Sequence, residues 1–180
     1  MRVISGTAGG KRLKTPENQA IRPSTDMVKE ALFNIIQFDI EGRKVLDLFA
    51  GTGQLGIECL SRGAEEVVFC DKSREAVKII KENLKTCGFS AQVNNRDSIE
   101  FLKSCGKFDI ILIDPPYDSD LYDSALKIIN LVDILSDGGI IVCETERSKT
   151  LPDMEKPYKR GKVYNYGKVK LNFYTKDCSL

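Results

Sequence analysis

Histidine is absent from the 180 residues. Without an imidazole, Ser-His-Asp and Cys-His catalysis are excluded, as is any metal site built on histidine. Six cysteines are present, Cys59, Cys70, Cys87, Cys105, Cys143 and Cys178, but none forms a C-x-x-C and most stand in apolar runs. That spacing offers neither a zinc ribbon nor a disulfide framework, and it predicts reduced thiols packed in a core. Nowhere do roughly 18 uncharged apolar residues follow one another. The opening Met1–Lys14 segment lacks the apolar stretch of a secretory signal. Neither a membrane span nor export is expected, and the cytoplasm is the expected compartment. Internal repeats and low-complexity tracts are missing too.

Of the residues present, 42% are hydrophobic and 29% charged. This fits one soluble globular domain over 1–180, with an N-terminal extension at 1–43 and a core at 44–180. Twenty-seven Lys and Arg against 26 Asp and Glu give a net charge of +1, which neither drives the chain onto polyanions nor keeps it away. The distribution is uneven. Residues 1–29 carry six bases and two acids, 30–146 carry twelve and twenty-one, and 147–176 carry nine and two. Basic ends around an acidic middle suggest a catalytic or ligand-binding body flanked by segments able to meet phosphate, although charge runs also serve simply as solvated surface.

The chain opens with a short strand pattern, Arg2–Ile4, then a turn with Gly6, Gly9 and Gly10, then a basic segment ending at Pro16. Together these predict a small hairpin. After Arg22-Pro23-Ser24-Thr25-Asp26, the apolar Met27, Val28, Ala31, Leu32, Ile35 and Ile36 recur at helical spacing. Behind a Ser or Thr cap, that is a helix of about three turns. From Lys44 the pattern alternates. Short apolar runs at 45–49, 66–70, 91–94, 108–113 and 139–143 are separated by helical patterns near 54–62, 73–86, 98–104 and 120–133. Such alternation predicts an α/β fold, a parallel sheet with helices on both faces. The tail departs from it: 162–166 and 169–175 flank Gly167-Lys168 and predict an antiparallel hairpin closing one edge.

In such sheets ligands collect beyond the carboxyl ends of the strands. After the first run comes Ala50-Gly51-Thr52-Gly53-Gln54-Leu55-Gly56, whose glycines permit a tight turn and a close backbone approach at a helix N-terminus. Asp71, 20 residues beyond Gly51, is placed to accept the hydroxyls of a ribose. Both features suit a dinucleotide as well as other nucleoside cofactors. Asp47 separates these readings, because a carboxylate within Val45-Leu46-Asp47-Leu48-Phe49 is costly unless paired. It would repel a pyrophosphate and attract an ammonium and a sulfonium. Asp97-Ser98 opens a further helix, where Asp97 can cap the helix or take an adenine amine. The sharpest signal, Asp114-Pro115-Pro116-Tyr117, follows the fourth run. Two prolines fix the backbone and donate no hydrogen bond, so the turn offers the Asp114 carboxylate and Pro115 carbonyl as acceptors. They suit an exocyclic amine, with Tyr117 as a stacking face; the bland alternative is a rigid loop leaving a strand.

These residues make the chain similar to class I S-adenosylmethionine-dependent methyltransferases, with Asp47–Gly53 as the first motif and Asp114–Tyr117 as the fourth. More narrowly, the chain resembles the RsmD family, which methylates N2 of one guanine in bacterial 16S ribosomal RNA. That match rests on Met1-Arg-Val-Ile-Ser-Gly6, on Arg22-Pro-Ser-Thr-Asp-Met-Val-Lys-Glu-Ala-Leu-Phe-Asn34, and on Asp47-Leu-Phe-Ala-Gly-Thr-Gly-Gln-Leu-Gly-Ile-Glu58. It covers essentially the whole chain. The resemblance implies a Rossmann-like, seven-stranded, mostly parallel sheet with an antiparallel C-terminal hairpin and a short N-terminal extension. It implies S-adenosylmethionine as cofactor, S-adenosylhomocysteine as product, and no metal. Cofactor contacts would come from Asp47, Phe49, Gly51, Thr52, Gly53, Asp71, Lys72, Asp97 and Ser98, and the target pocket from Asp114, Pro115, Pro116 and Tyr117. Lys11, Arg12 and Lys14 would meet the RNA backbone, with Arg22 and Thr25 near the active site. The expected partner is 16S rRNA or the assembling small ribosomal subunit, met by a monomer. Competing readings are an amino methyltransferase for adenine N6 of DNA or a protein glutamine, and a non-catalytic RNA-binding assembly factor. The chain has little room for a DNA target-recognition domain beside the sheet.

Overall fold

Val45, Leu46 and Leu48 leave only Asp47 polar in their run, and a segment this apolar is stable as a strand covered on both faces. It forms β1 (Lys44–Leu48). The strand lies inside a seven-stranded sheet in the computed structural model, which describes residues 1–16, 25–116 and 120–177. On one side of β1 run β2 (Glu66–Asp71) and β3 (Gln92–Asn95). On the other run β4 (Phe108–Ile113) and β5 (Leu135–Glu146), all parallel to it. Two antiparallel strands follow, β6 (Tyr158–Tyr166) and β7 (Val169–Lys176), giving the order β3-β2-β1-β4-β5-β7-β6.

Among the described residues, five helices cover the sheet: α1 (Thr25–Ile35), α2 (Gln54–Ser61), α3 (Arg74–Cys87), α4 (Ser98–Leu102) and α5 (Leu121–Val132). Val28, Leu32 and Phe33 of α1, Ile57 of α2, and Ile80 and Leu84 of α3 pack into one core on one face. Phe101, Leu102, Ala125, Leu126 and Ile129 from α4 and α5 pack into a second core on the other. Helix α3 starts where the Ser73 hydroxyl accepts the Ala76 N–H and ends at Gly88 in the left-handed region. Cys59, Cys70, Cys87 and Cys143 are buried free thiols and Cys105 is half-buried, while Cys178 lies outside the described residues.

Two elements differ from the expectation at sequence level. Strand β5 starts at Leu135 rather than near 139. Leu135 pairs with Phe108, the register shifts, and Ile140 resumes opposite Ile110. The stretch 136–138, which precedes the expected run, is an irregularity within one strand. The terminal hairpin closes the sheet edge as expected, but its second strand inserts between β5 and the first. Strand β7 is therefore buried along most of its length, and β6 alone forms the edge.

The N-terminal hairpin is minimal. Arg2 and Arg12 form an isolated antiparallel bridge, and the Val3 N–H donates to the Lys11 carbonyl at 2.9 Å. Val3, Ala8 and Leu13 reach into the first core. Its anchor is Glu58, fully buried in α2, whose carboxylate accepts the backbone N–H groups of Ile4 (2.7 Å) and Ser5 (3.0 Å) and the Arg62 Nε (2.9 Å). Gly6 passes so close to α2 that a Cβ there would stand 1.8 Å from the Ser61 carbonyl oxygen. Lys29 of α1 is buried as well and donates to the Arg2 carbonyl at 2.6 Å. The motif Met1–Gly6 is thus a docking sequence for α2.

Candidate active site

Leu48 pairs with Cys70 and with Ile113, so β1, β2 and β4 end level with one another. From β1 the chain winds outward through β2 and β3, then crosses back to lay β4 on the other side of β1. The reversal opens a crevice between β1 and β4 at their carboxyl ends, where open α/β sheets bind ligands. The segments after β1, β2 and β4 converge there.

After β1, Phe49 takes a positive φ of 63° and Gly53, the N-cap of α2, a φ of 76°. A side chain at Gly51 would meet nothing within 4 Å, so its backbone is open to a ligand. Gly56 has the opposite constraint: a Cβ there would stand 2.3 Å from the Phe69 ring, so only glycine lets α2 lie this close to β2. Gln54 begins α2, and its Oε1 is buried with no hydrogen-bond partner among the described residues.

Asp47 is 2% exposed, and its Oδ2 accepts the Gly56 N–H at 2.8 Å. Burial pushes its carboxyl up to about 8, with the charges of Asp114 and Asp71 adding to the shift and the Gly56 hydrogen bond opposing it. Asp71 joins β2 to the glycine loop, its two oxygens accepting the Gly51 N–H (2.9 Å) and the Ser73 N–H (2.8 Å). Asp114 is half-buried beyond β4, Pro115 is buried and Pro116 exposed. Asp71 and Asp114, 24 and 67 residues beyond Asp47 in the sequence, are thereby both brought within electrostatic reach of it.

Other predicted residues have other partners. Asp97 caps α4, its Oδ1 accepting from Ile99 N–H (3.0 Å) and Glu100 N–H (3.1 Å). Ser98 is buried and its hydroxyl faces the Cys70 sulfur. The Thr52 hydroxyl donates to the Met1 sulfur at 3.5 Å. Phe49 packs against the second core, and Lys72 is exposed directly after Asp71. Lys11 donates to the Cys87 carbonyl at the end of α3 (3.1 Å), Lys14 pairs with Glu82 (2.7 Å), and Arg12 is exposed. Arg22 and Tyr117 lie outside the described residues, as does the side chain of Thr25, the first residue of α1.

Sequence reading missed Asn83. Buried within α3, it accepts the Lys14 N–H (2.7 Å) and donates to the carbonyls of Lys14 (3.1 Å) and Thr52 (2.9 Å). It ties the glycine loop to the N-terminal extension. No signal marked it, because asparagine in a helical run reads as solvated surface until the neighbouring backbone is known.

Asp47 has no ion pair among the described residues, so a crevice flanked by Asp47, Asp71 and Asp114 disfavours a pyrophosphate and suits a ligand that carries positive charge, against which Asp47 would ionise. The open Gly51 backbone and the orphaned Gln54 oxygen leave polar groups for such a ligand. The residues present therefore fit S-adenosylmethionine.

Sheet order, crevice and carboxylates define the Rossmann-like class I methyltransferase fold. Within that class the chain belongs to the RsmD family: the family described as Conserved hypothetical protein 95 matches residues 1–175. It is 38% identical over 182 residues to the Bacillus subtilis protein YlbH, covering 98% of this chain and 99% of that one. It is 30% identical over 180 residues to Ribosomal RNA small subunit methyltransferase D of Escherichia coli K12, covering 99% and 91%. Among solved structures, the Escherichia coli protein yhhF superposes with a TM-score of 0.90 at 29% identity, covering 99% of each chain. No helix among the described residues is long and apolar enough to cross a membrane.

Proposed function

We propose that this protein transfers a methyl group from S-adenosylmethionine to the exocyclic N2 amine of a guanine in small-subunit ribosomal RNA, acting in the cytoplasm as a single domain. The observation that carries the reading is that Asp47 of β1 feels the charges of both Asp114, after β4, and Asp71, at the end of β2. Relatives named for methylation of small-subunit rRNA support the substrate class.

Asp47 and Asp71 would hold the cofactor, beside the Gly51 backbone. When bound, it supplies a carbon made electrophilic by the sulfonium. An amine on a base is a poor nucleophile because its lone pair is delocalised into the ring. The Asp114 carboxylate and Pro115 carbonyl would each accept one amine hydrogen, which favours a pyramidal nitrogen with its lone pair exposed. Tyr117, outside the described residues, would offer a stacking face for the base. Placement and fixed dipoles do the work, which needs neither imidazole nor metal.

Asp114→Ala should keep cofactor affinity within about twofold while losing at least a hundredfold in methyl transfer, roughly the effect of removing one preorganised polar group. Calorimetry and incorporation of labelled methyl into RNA, DNA and protein offered separately measure the two quantities. Equal transfer by the variant, or label on DNA or protein in place of RNA, would overturn the proposal.

A further inference from the structure

Outside the crevice, helix α3 carries four cations that the chemistry leaves unused. Arg74, Lys78, Lys81 and Lys85 follow one another at intervals of four, three and four residues. Their side chains therefore share one narrow stripe, about 16 Å long at the helical rise. They stand opposite the buried Ile79, Ile80, Asn83 and Leu84, and all four are exposed. With Val77 and Glu82 they line a shallow open groove of about 440 Å³.

Several other basic positions on this surface are paired with acids. Lys44 is paired with Glu66, Lys103 with Glu100, Lys107 with Asp133, Lys159 with Asp177 and Arg160 with Asp153. None of the four α3 cations is in an ion pair among the described residues; of the two acids on the helix, Glu75 is exposed in the first turn and Glu82 is held by Lys14. Four like charges on one stripe repel one another, a cost relieved by a polyanion running along the helix.

The stripe is also fixed to the crevice. Arg74 follows Ser73, whose N–H donates to Asp71. Further along, Asn83 joins α3 to the Thr52 carbonyl of the glycine loop and to the backbone of Lys14. A strand lying on α3 would thus be held in constant relation to the Asp114 pocket. We propose that the α3 stripe binds the phosphate backbone of the RNA whose base enters the crevice. This inference rests on the RNA substrate proposed above.

The test compares two quadruple variants with the unaltered protein. One is Arg74→Gln, Lys78→Gln, Lys81→Gln, Lys85→Gln. The other removes as much charge elsewhere: Arg43→Gln, Lys103→Gln, Lys107→Gln, Lys127→Gln. Affinity for a small-subunit rRNA fragment is measured between about 50 and 200 mM salt, together with cofactor affinity and methyl transfer. The stripe variant should bind RNA at least tenfold more weakly at low salt. Its log–log salt slope should be shallower by about 3, since each phosphate contact contributes about 0.7 to 0.9. Its cofactor affinity should stay unchanged, and the control variant should lose less than threefold in RNA affinity. A stripe variant that binds RNA like the unaltered protein, or loses no more than the control, overturns the inference. Unaltered protein that binds RNA without methylating it contradicts the proposed function, and the binding comparison still decides the stripe. If the unaltered protein does not bind RNA, both fall.

Discussion

Asp47 shows how a single residue registers its ligand. Its carboxyl is raised from 3.8 to about 8, so between those values the folded protein retains a proton that the unfolded chain has lost. Stability then falls as pH rises through that window. Asp47→Asn keeps an acceptor for the Gly56 N–H and carries no charge. Thermal unfolding of the ligand-free protein from pH 5 to 9 should show the variant gaining on the wild type as pH rises, with the gap levelling off above pH 8. Parallel curves would contradict the burial assigned to this carboxyl. Asp47, Asp71 and Asp114 were legible in the sequence because each directly follows or interrupts an apolar run, where strand ends are easily placed. Asp97 stayed open between cap and ligand, and its helix-capping bonds come from the turn that follows, which composition does not reveal. The Ser98 and Thr52 hydroxyls face Cys70 and Met1, contacts that position in a motif does not reveal. A motif fixes the backbone path and leaves the side-chain direction to packing.

At the level of elements, the N-terminal extension depends on a buried charge. Glu58→Ala would leave the Ile4 and Ser5 N–H groups and the Arg62 guanidinium without the fully buried carboxylate that accepts from them. Breaking a buried ion pair in this way costs about 3–5 kcal/mol. Calorimetric unfolding should show a loss of that order, and hydrogen exchange should accelerate first at Ile4 and Ser5. A loss below about 1 kcal/mol, or no change in exchange there, would show that the carboxylate is not the anchor. Element positions were legible wherever periodicity was strong, as in α3. The bulge in β5 was not, since Gly138-Gly139 carries the same local signal for a turn and for a bulge, and only the partner strand distinguishes them. The basic C-terminal segment also reads differently in three dimensions. Lys159, Arg160 and Lys176 pair with acids, and charged residues along β6 protect an exposed sheet edge.

Across the whole molecule, the sheet is closed at one end by a charge cluster between distant segments. Asp133, after α5, accepts from Lys176 at the end of β7, from Lys107 and from the Tyr158 hydroxyl. The Lys176 hydrogen bond above all, then those of Lys107 and Tyr158, hold its carboxyl down at about 2. The stabilisation is complete above pH 3.8 and is lost as pH falls toward 2. Asp133→Asn should lower the unfolding temperature at pH 6 and narrow the gap to the wild type by pH 2; a constant gap would contradict the assignment. The alternation of apolar runs and helical patterns foretold the parallel sheet and its two covered faces. The insertion of β7 between β5 and β6 was not legible, because hairpin pairing is local whereas strand order is decided by which strand buries more apolar surface. β7, with Leu171, Phe173 and Tyr174 buried, takes the inner place.

The most direct measurement is mass-spectrometric mapping of modified nucleosides in small-subunit rRNA treated with the purified protein and S-adenosylmethionine. The proposed function predicts N2-methylguanosine at a single position, absent when Asp114→Ala replaces the wild type at equal cofactor occupancy. Methylation of another base or atom, or an unchanged yield from Asp114→Ala, would contradict it.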